Sequence, residues 1–163
     1  MLFRSHKSED PWYIRIGKGD EPLFSSDKQH QPNEPKFFGD TDAEILFLTT
    51  GVVIHEIIEA IKILNESGIL GIAAIHFSEL TCISFETWKD RYLLAQRVIV
   101  AEEHIPRGGL FSRILHTVHS EKLDTRKLEQ ISLPFNYIHN YGSQREHFIA
   151  QGLDALSLAK KVK

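Results

Sequence analysis

From residue 42 to the C-terminus, short apolar runs alternate with amphipathic segments, and this alternation constrains the fold more than any other feature. Three of the runs, 44–50, 69–75 and 97–101, consist mainly of strand-forming and apolar residues. Runs this short that are apolar throughout are typical of parallel strands covered on both sides by helices. The sequence therefore predicts an α/β fold, a three-layer α/β/α sandwich with a mostly parallel sheet.

The helical layers are predicted from the spacing of apolar residues. In the segment 52–67, apolar residues recur at intervals of four, four and three, charged residues occupy much of the opposite face, and Gly68 follows as a helix stop. A last, more exposed strand is predicted where Ile131, Leu133 and Phe135 alternate with polar residues. Shorter helical patterns occupy 85–95, 110–118, 144–150 and 153–161.

The first 41 residues do not continue this alternation. The stretch 12–16 has the composition of a short strand, whereas the prolines and polar residues of 21–41 exclude a long regular element. Phe24, Phe37 and Phe38 indicate that this arm lies against a surface. The predicted organisation is a strand remnant in 1–20, a linker arm in 21–41 and one domain in 42–163.

Charge and composition argue against several classes of partner. The net charge is -3 and the two signs are interleaved, so no basic field is present to attract nucleic acid or an anionic membrane. No apolar run reaches the ~20 residues of a membrane span, and the start lacks the apolar core of a signal peptide. A single cysteine, Cys82, in an apolar setting suits a buried thiol and a reducing compartment. We therefore expect a cytoplasmic protein.

The nine histidines do not predict a metal site. His116 and His119 are three residues apart on a predicted helix, so both can lie on one face. No third ligand stands at zinc spacing from them, and no histidine has a cysteine partner. We therefore expect no metal to be bound by this chain.

The stretch 102–112, EEHIPRGGLFS, links a predicted strand to a predicted helix. Gly108 and Gly109 precede the helix, whose first free N–H groups are suited to an anion. The same glycines also suit a sharp turn away from the strand. The third glycine of a dinucleotide fingerprint is missing, as is the GK[ST] of a phosphate loop. Both interpretations, an anion site and a turn, stay open at this point.

The acids of this stretch favour a structural interpretation. Glu102 and Glu103 could form an acid–base pair, but consecutive strand residues point to opposite faces. We expect them to cap the following loop and His104 to form hydrogen bonds within it. The arginines expected to pair with these acids are Arg97, Arg107 and Arg113.

Three motifs in the expected order resemble one known family. The first is V-x-V-x-E-E-H at 98–104 with G-G-L-x-S ending at Ser112, and the second is the strand DAEILFLTTG at 42–51 before a helix. The third is the closing pattern at 141–154, with Tyr-Gly, a glutamate and Gly-Leu-Asp. Together they resemble the C-terminal domain of transketolase and its relatives, which include deoxyxylulose-phosphate synthase and the β subunit of pyruvate-dehydrogenase-type enzymes. Phe111 departs from the pattern, because relatives commonly carry a small residue there.

The resemblance also implies roles for the N-terminal residues. Residues 11–19 look like the last strand of the preceding pyrimidine-binding domain, with Arg15 and Lys18 near the position where relatives bind a sugar phosphate. The complete enzymes use thiamine diphosphate and Mg²⁺, held in part by a GDG motif in an earlier domain. This sequence has no GDG, because Gly39-Asp40 is followed by Thr41 and Gly19-Asp20 by Glu21. The chain alone is therefore expected to bind no cofactor and to be inactive.

The resemblance predicts the C-terminal section of a ketol-transferring enzyme that supports dimer assembly. Its partners would be a second copy, the missing N-terminal cofactor-binding domains, or both. Two alternatives stay open: a free-standing module that binds phosphate or nucleotide at Gly108 and Gly109, and the C-terminal part of a 2-oxoacid dehydrogenase β subunit.

Overall fold

The computed structural model describes Pro11, Tyr13, Ile14, residues 34–81 and residues 83–163. The strand predicted at 12–16 lies largely outside this part of the chain, and Tyr13 and Ile14 belong to no strand. Arg15, Lys18, Phe24 and Cys82 lie outside it as well.

Five strands form one sheet in the order β1-β3-β2-β4-β5. Strand β1 runs antiparallel to β3, and the other pairs, β2–β3, β2–β4 and β4–β5, are parallel. The strands are β1 Lys36–Gly39, β2 Ile45–Thr49, β3 Ile72–His76, β4 Arg97–Ala101 and β5 Leu128–Ile131.

Helices connect the parallel strands and cover both sheet faces. A short 3-10 helix, Phe85–Thr87, precedes the second α-helix. The α-helices are α1 Val53–Glu66, α2 Lys89–Leu94, α3 Leu110–Ser120, α4 Gln144–Gln151 and α5 Ala155–Val162. Among the described residues, no helix has the length and apolar character needed to cross a membrane.

The two sides of the sheet bury separate apolar clusters. Helices α1, α4 and α5 pack on one face, and the 3-10 helix, α2 and α3 pack on the other. Strand β2 shows why both faces must be covered: Phe47 enters the first cluster, whereas Leu46 and Leu48 enter the second. Each such side chain contributes about 1.5–3 kcal/mol when fully buried. The predicted three-layer sandwich with a mostly parallel sheet is confirmed.

Most elements lie where the sequence predicts them. Strand β4 has the predicted bounds, and β2, β3 and α1 differ from theirs by a few residues at the ends. Gly68 ends α1 with a φ of +81°, a left-handed conformation that glycine tolerates. The two closing helices are separated by Gly152, whose φ is +69°.

The prediction for the last strand is wrong in position. Strand β5 ends at Ile131, because its pairing with β4 runs from Val98 opposite Leu128 to Ala101 opposite Ile131. Leu133 then donates its N–H to the carbonyl of His104, and Pro134 has no N–H for a ladder. Phe135, expected in the strand, is 69% exposed.

The sequence did not predict that the end of the arm forms a strand. Strand β1 adds antiparallel to β3, with Phe38 against the core and Phe37 under the guanidinium of Arg91 at 4.6 Å. The strand ends at Gly39, whose φ is +82°. A Cβ there would lie 2.3 Å from the carbonyl oxygen of Ile72, so glycine is required at this position. The prediction that Phe37 and Phe38 lie against a surface is confirmed.

Candidate functional site at the carboxyl edge of the sheet

The parallel strands β2 and β4 end side by side at a topological switch point. After β2 the chain continues into α1 on one face, and after β4 it continues into α3 on the other. Ligand sites of open α/β sheets lie in the crevice that such a divergence leaves at the carboxyl edge. The loops bordering it, 50–52 and 102–109, are therefore the first place to look for function.

Buried polar side chains concentrate at this edge. Thr49, His76 and Glu102 are the buried polar or charged residues in the part of the chain that the structure describes. Thr49 ends β2, His76 ends β3, and Glu102 directly follows β4. Because buried polar groups need hydrogen-bond partners, their contacts show whether this edge is open to a ligand or closed by bonds within the chain.

The ends of β2 and β3 are joined to their neighbours. The hydroxyl of Thr49 donates to the carbonyl of Ala101 at 2.7 Å, and that of Thr50 donates to the carbonyl of Phe77 at 2.8 Å. The ring Nδ1 of His76 lies 3.4 Å from the hydroxyl oxygen of Ser78. These contacts connect three strand ends and leave both threonine hydroxyls engaged.

Glu102 caps the N-terminus of α3. Its carboxylate accepts the backbone N–H of Leu110 at 2.6 Å and that of Phe111 at 3.1 Å, and the side-chain amide of Gln130 lies at 3.4 Å. A negative charge at a helix N-terminus also gains from the helix dipole. The carboxylate of the chain itself thus occupies the position where the sequence suggested an external anion.

Gly109 makes this cap sterically feasible. A Cβ at Gly109 would lie 2.1 Å from a carboxylate oxygen of Glu102, so any side chain there would push the carboxylate away. Gly108 has a φ of +79°, and its N–H donates to the hydroxyl of Ser112 at 3.0 Å. The glycine pair therefore serves a tight turn and a close carboxylate. An anion site at Gly108 and Gly109 stays a prediction that requires displacement of Glu102.

Glu103 points to a different part of the edge. One carboxylate oxygen would lie 3.2 Å from a Cβ on Gly51, and the other lies 3.5 Å from the side-chain amide of Gln144. Glu103 thus faces the loop after β2 and the start of α4, whereas Glu102 faces α3. The two carboxylates do not act on one common point, as strand alternation predicts.

His104 lies in the exposed loop beyond the two acids. Its ring Nδ1 lies 2.8 Å from the carbonyl oxygen of Ile105, and its own carbonyl accepts the N–H of Leu133. This geometry is that of a residue that shapes the loop and connects it to the segment after β5.

The three arginines expected to pair with the acids each form a contact elsewhere in the fold. Arg97 forms a bidentate pair with Glu129, at 2.8 and 3.0 Å, and also donates to carbonyls at the end of α5. The hydrogen bond from Arg97 lowers the pKa of Glu129, although burial opposes the shift. Arg113 donates to the carbonyl of Thr81 at 2.7 Å. Arg107 lies over the ring of Phe135 at 5.6 Å. Proximity in sequence did not determine the pairing.

The histidines of α3 lie on its outer surface. His116 and His119 are exposed and line a shallow depression with Ser112, Leu115 and Thr125. Within the described ranges, no group of three or more histidine, cysteine, aspartate or glutamate side chains is placed to hold a metal ion.

One exposed feature was missed in the sequence. Residues 132–143 form no helix or strand, and they display Phe135, Tyr137, Ile138 and Tyr141 to solvent. The run FNYIHNY places four large apolar side chains within seven residues without strict alternation, and this pattern was the available signal. Exposed clusters of this kind mark interaction surfaces more often than isolated exposed apolar residues do.

Comparison with known proteins identifies structures with a similar fold. No protein-family model matches the sequence, and no curated protein matches it. A split-gene transketolase, solved as an inactive β4 tetramer, matches 99% of this chain with a TM-score of 0.81 and 23% identity, and 52% of its own length is covered. Transketolase from Campylobacter jejuni matches 80% of the chain with a TM-score of 0.51 and 14% identity, over 18% of its length.

A transketolase from Pichia stipitis gives a similar result, with a TM-score of 0.52, 16% identity, 80% of this chain and 17% of its own. The chain thus spans about half of the split-gene relative and less than a fifth of the other two. These similarities show a transketolase C-terminal-domain-like fold, and the predicted fold resemblance is confirmed.

Proposed function

We propose that this chain, which has the fold of the transketolase C-terminal domain, is the C-terminal section of a thiamine-diphosphate-dependent, transketolase-like enzyme. In this proposal it supports assembly of the enzyme and is inactive by itself. Ketol transfer between sugar phosphates would be carried out by the assembled protein.

One observation carries this proposal. The chain superposes over 99% of its length on the split-gene transketolase with a TM-score of 0.81, yet it accounts for only 52% of that protein's chain. A polypeptide with the fold of one section of a multidomain enzyme is suited to act together with the other sections. The ordered motifs at 42–51, 98–112 and 141–154 support the same proposal.

The carboxyl edge supports a non-catalytic role. The N-terminus of α3 is a natural position for a diphosphate, but the carboxylate of Glu102 fills it and would repel a second anion. The described residues of this edge therefore do not fit thiamine diphosphate. The cofactor and its Mg²⁺ would be held by the other domains of the enzyme, where they supply the covalent chemistry.

Substrate contact is proposed for the N-terminal arm alone. Arg15 and Lys18, outside the described residues, would bind the phosphate of the sugar through charge-assisted hydrogen bonds. In the assembled enzyme, Arg15→Ala should then raise KM for the sugar phosphate and leave kcat nearly unchanged. An unchanged KM would remove Arg15 from the proposal.

Reconstitution tests the proposed function. The purified chain would be mixed with a polypeptide from the same organism that carries the GDG motif, together with thiamine diphosphate and Mg²⁺. Ketol transfer should appear in the mixture, and each polypeptide alone should be inactive. Ketol transfer by the 163-residue chain alone, or a complex that stays inactive, would overturn the proposal.

A further inference from the structure

Two histidines lie side by side on the outer surface of α3. His116 and His119 are both exposed, and both line the shallow depression on this helix. The helix is regular from Leu110 to Ser120, so residues three apart share one face, with Cβ atoms about 5–6 Å apart. The two imidazoles are therefore within reach of one bound ion.

Both rings are available as ligands. Within the described residues, neither of the two imidazoles forms a hydrogen bond or an ion pair, whereas the rings of His76 and His104 each lie within hydrogen-bonding distance of an oxygen atom. A neutral imidazole is the commonest metal ligand in proteins. The pair on α3 thus differs from these two histidines of the carboxyl edge, whose rings have partners in the fold.

The spacing and the surroundings of the pair suit a particular class of metal ion. Side chains at i and i+3 of a helix serve one metal site in the di-iron bundles, where a glutamate and a histidine stand at this spacing. Imidazole nitrogens favour Zn²⁺, Ni²⁺ and Cu²⁺, whereas Mg²⁺ favours oxygen ligands. No carboxylate lines the depression, so its ligands select the ions that prefer nitrogen.

The position of the pair along α3 also favours a cation. His119 lies in the last turn of the helix, where the free carbonyl groups carry the negative end of the helix dipole. Glu121 and Lys122 follow the helix, and both are exposed and of opposite charge, so their effects on a nearby cation oppose each other. Arg113, one turn before His116, donates to the carbonyl of Thr81.

One chain provides only half of such a site. Closed zinc sites in proteins have four ligands in a tetrahedral arrangement. In the part of the chain that the structure describes, no third histidine, cysteine, aspartate or glutamate joins the pair, which is why no metal was expected in a single chain. A two-fold contact between two copies places the same helix face on both sides. Four imidazoles, two from each copy, would then surround one ion.

We propose that His116 and His119 form one half of a binding site for a zinc-like divalent cation, and that a second copy of this chain completes the site. Leu115 lines the same depression and is 38% exposed, so it adds apolar area to the contact between the copies. The inference does not depend on the proposed function, because the site requires neither thiamine diphosphate nor other domains.

The test uses the full-length chain, prepared without a histidine tag and freed of metal by a chelator. Zn²⁺ would be titrated by calorimetry, with Mg²⁺ in a parallel titration, and the mass of the species would be measured by analytical ultracentrifugation. His116→Gln and His119→Gln each remove one ligand. His139→Gln/His147→Gln is the matched control, because it removes two histidines outside α3.

We expect the unmodified chain to bind one Zn²⁺ per pair of copies, to dimerise as it does so, and not to respond to Mg²⁺. Each single variant should raise the Kd for Zn²⁺ by at least about 10-fold and abolish the dimer. The control should bind and dimerise like the unmodified chain. Circular dichroism of His116→Gln and His119→Gln should be unchanged, because both side chains are exposed.

Three results would overturn the inference. The first is that the chain does not bind Zn²⁺, and the second is that binding and dimerisation survive both variants or fall equally in the control. The third is that Zn²⁺ binds to a chain that stays monomeric, because the second copy would then supply no ligand. None of these results concerns ketol transfer by the reconstituted enzyme, so failure of the inference is distinguishable from failure of the proposed function.

Discussion

Two segments at the same edge of the sheet differ in how far their side chains are buried and bonded within the fold. In the loop 102–109, the buried carboxylate of Glu102 accepts two backbone N–H groups and fits closely against Gly109. In the segment 132–143, Tyr137 and Tyr141 are almost fully exposed and no backbone ladder continues from β5. The first segment is closed by its own contacts, and the second presents apolar area to solvent.

This difference shows that the stretch 102–109, the motif most suggestive of chemistry, is the less accessible of the two to a ligand. A glycine pair before a helix and two adjacent acids resemble a ligand site in sequence, yet the structure uses them to join a strand to a helix. The segment without any chemical motif carries the exposed aromatic side chains. Substitutions in the two segments should therefore differ in their effect on stability, which should fall for the first segment and stay nearly unchanged for the second.

At the carboxyl edge of the sheet, the largest effect on stability is expected from Glu102→Ala. The change leaves the N–H groups of Leu110 and Phe111 without their acceptor, and it removes a favourable charge from the start of α3. We expect the free energy of unfolding to fall by about 3 kcal/mol in urea titrations. Glu103→Ala, on the neighbouring residue, should cost less than about 1 kcal/mol. Equal losses for the two variants would contradict the assignment of the cap to Glu102.

Gly109→Ala should destabilise the chain by about 2 kcal/mol, because the new Cβ would overlap the carboxylate of Glu102. The φ of Gly109 is -88°, so alanine meets no backbone penalty there and the cost arises from the carboxylate. The double variant with Glu102→Ala is the decisive measurement. Gly109→Ala should add almost nothing in that background, and full additivity of the two losses would show that the residues are not coupled.

A smaller effect is expected from the Arg97–Glu129 pair, which lies at the opposite edge of the sheet. The hydrogen bond from Arg97 holds the pKa of Glu129 below its ordinary value of 4.5. The stabilisation is therefore fully present above the ordinary pKa and is lost as pH falls through the lower folded value. Because Glu129 is 47% exposed, the pair should contribute less than about 1 kcal/mol.

Glu129→Gln tests this by removing the titrating group. The loss of stability between neutral and acidic pH should be smaller in the variant than in the unmodified chain, by unfolding in urea at each pH. Glu121→Gln, an exposed acid at the end of α3, is the control. If the variant loses as much stability on acidification as the unmodified chain, Glu129 does not contribute to the pH dependence of stability.

The smallest effect on stability is expected from Tyr137→Ser/Tyr141→Ser. Both side chains are exposed, so the free energy of unfolding should change by less than about 0.5 kcal/mol. Tyr92→Ser provides the contrast, because Tyr92 is fully buried and its hydroxyl donates to the carbonyl of Asp124 at 2.6 Å. That variant should cost about 3–5 kcal/mol. A large loss for the exposed pair would mean that the segment 132–143 stabilises the fold.

The regular elements were predictable because each carries its own signal. Strand β4 is apolar after its first residue, Arg97, and α1 repeats apolar residues at helical spacing before Gly68. Both patterns record which side of an element is buried, and this depends on neighbours a few residues away. The last strand was misplaced, because the alternation of Ile131, Leu133 and Phe135 resembles a strand although the pairing with β4 ends at Ile131.

At the candidate site, the role of the acids was predictable from the sequence, but their contact partners were not. A capping role for the acids after β4 followed from their position, but the sequence suggested Arg97, Arg107 and Arg113 as partners. Each of these arginines has another contact. Arg97 is hydrogen-bonded to Glu129 on the neighbouring strand, Arg107 lies over the ring of Phe135, and Arg113 donates to the carbonyl of Thr81. Such partners are brought together by the order of the strands and the direction of the helices. Neither can be read from the spacing of nearby residues in the sequence.

The sequence by itself determined the layers of this protein, since the periods of its apolar residues specify a buried sheet between two sets of helices. Only the tertiary structure decided that Glu102 fills the N-terminus of α3 and that the aromatic side chains after β5 stay in solvent. The physical reason is that periodicity is a local property of the chain, whereas a carboxylate or an aromatic ring finds its surroundings only after distant strands have paired.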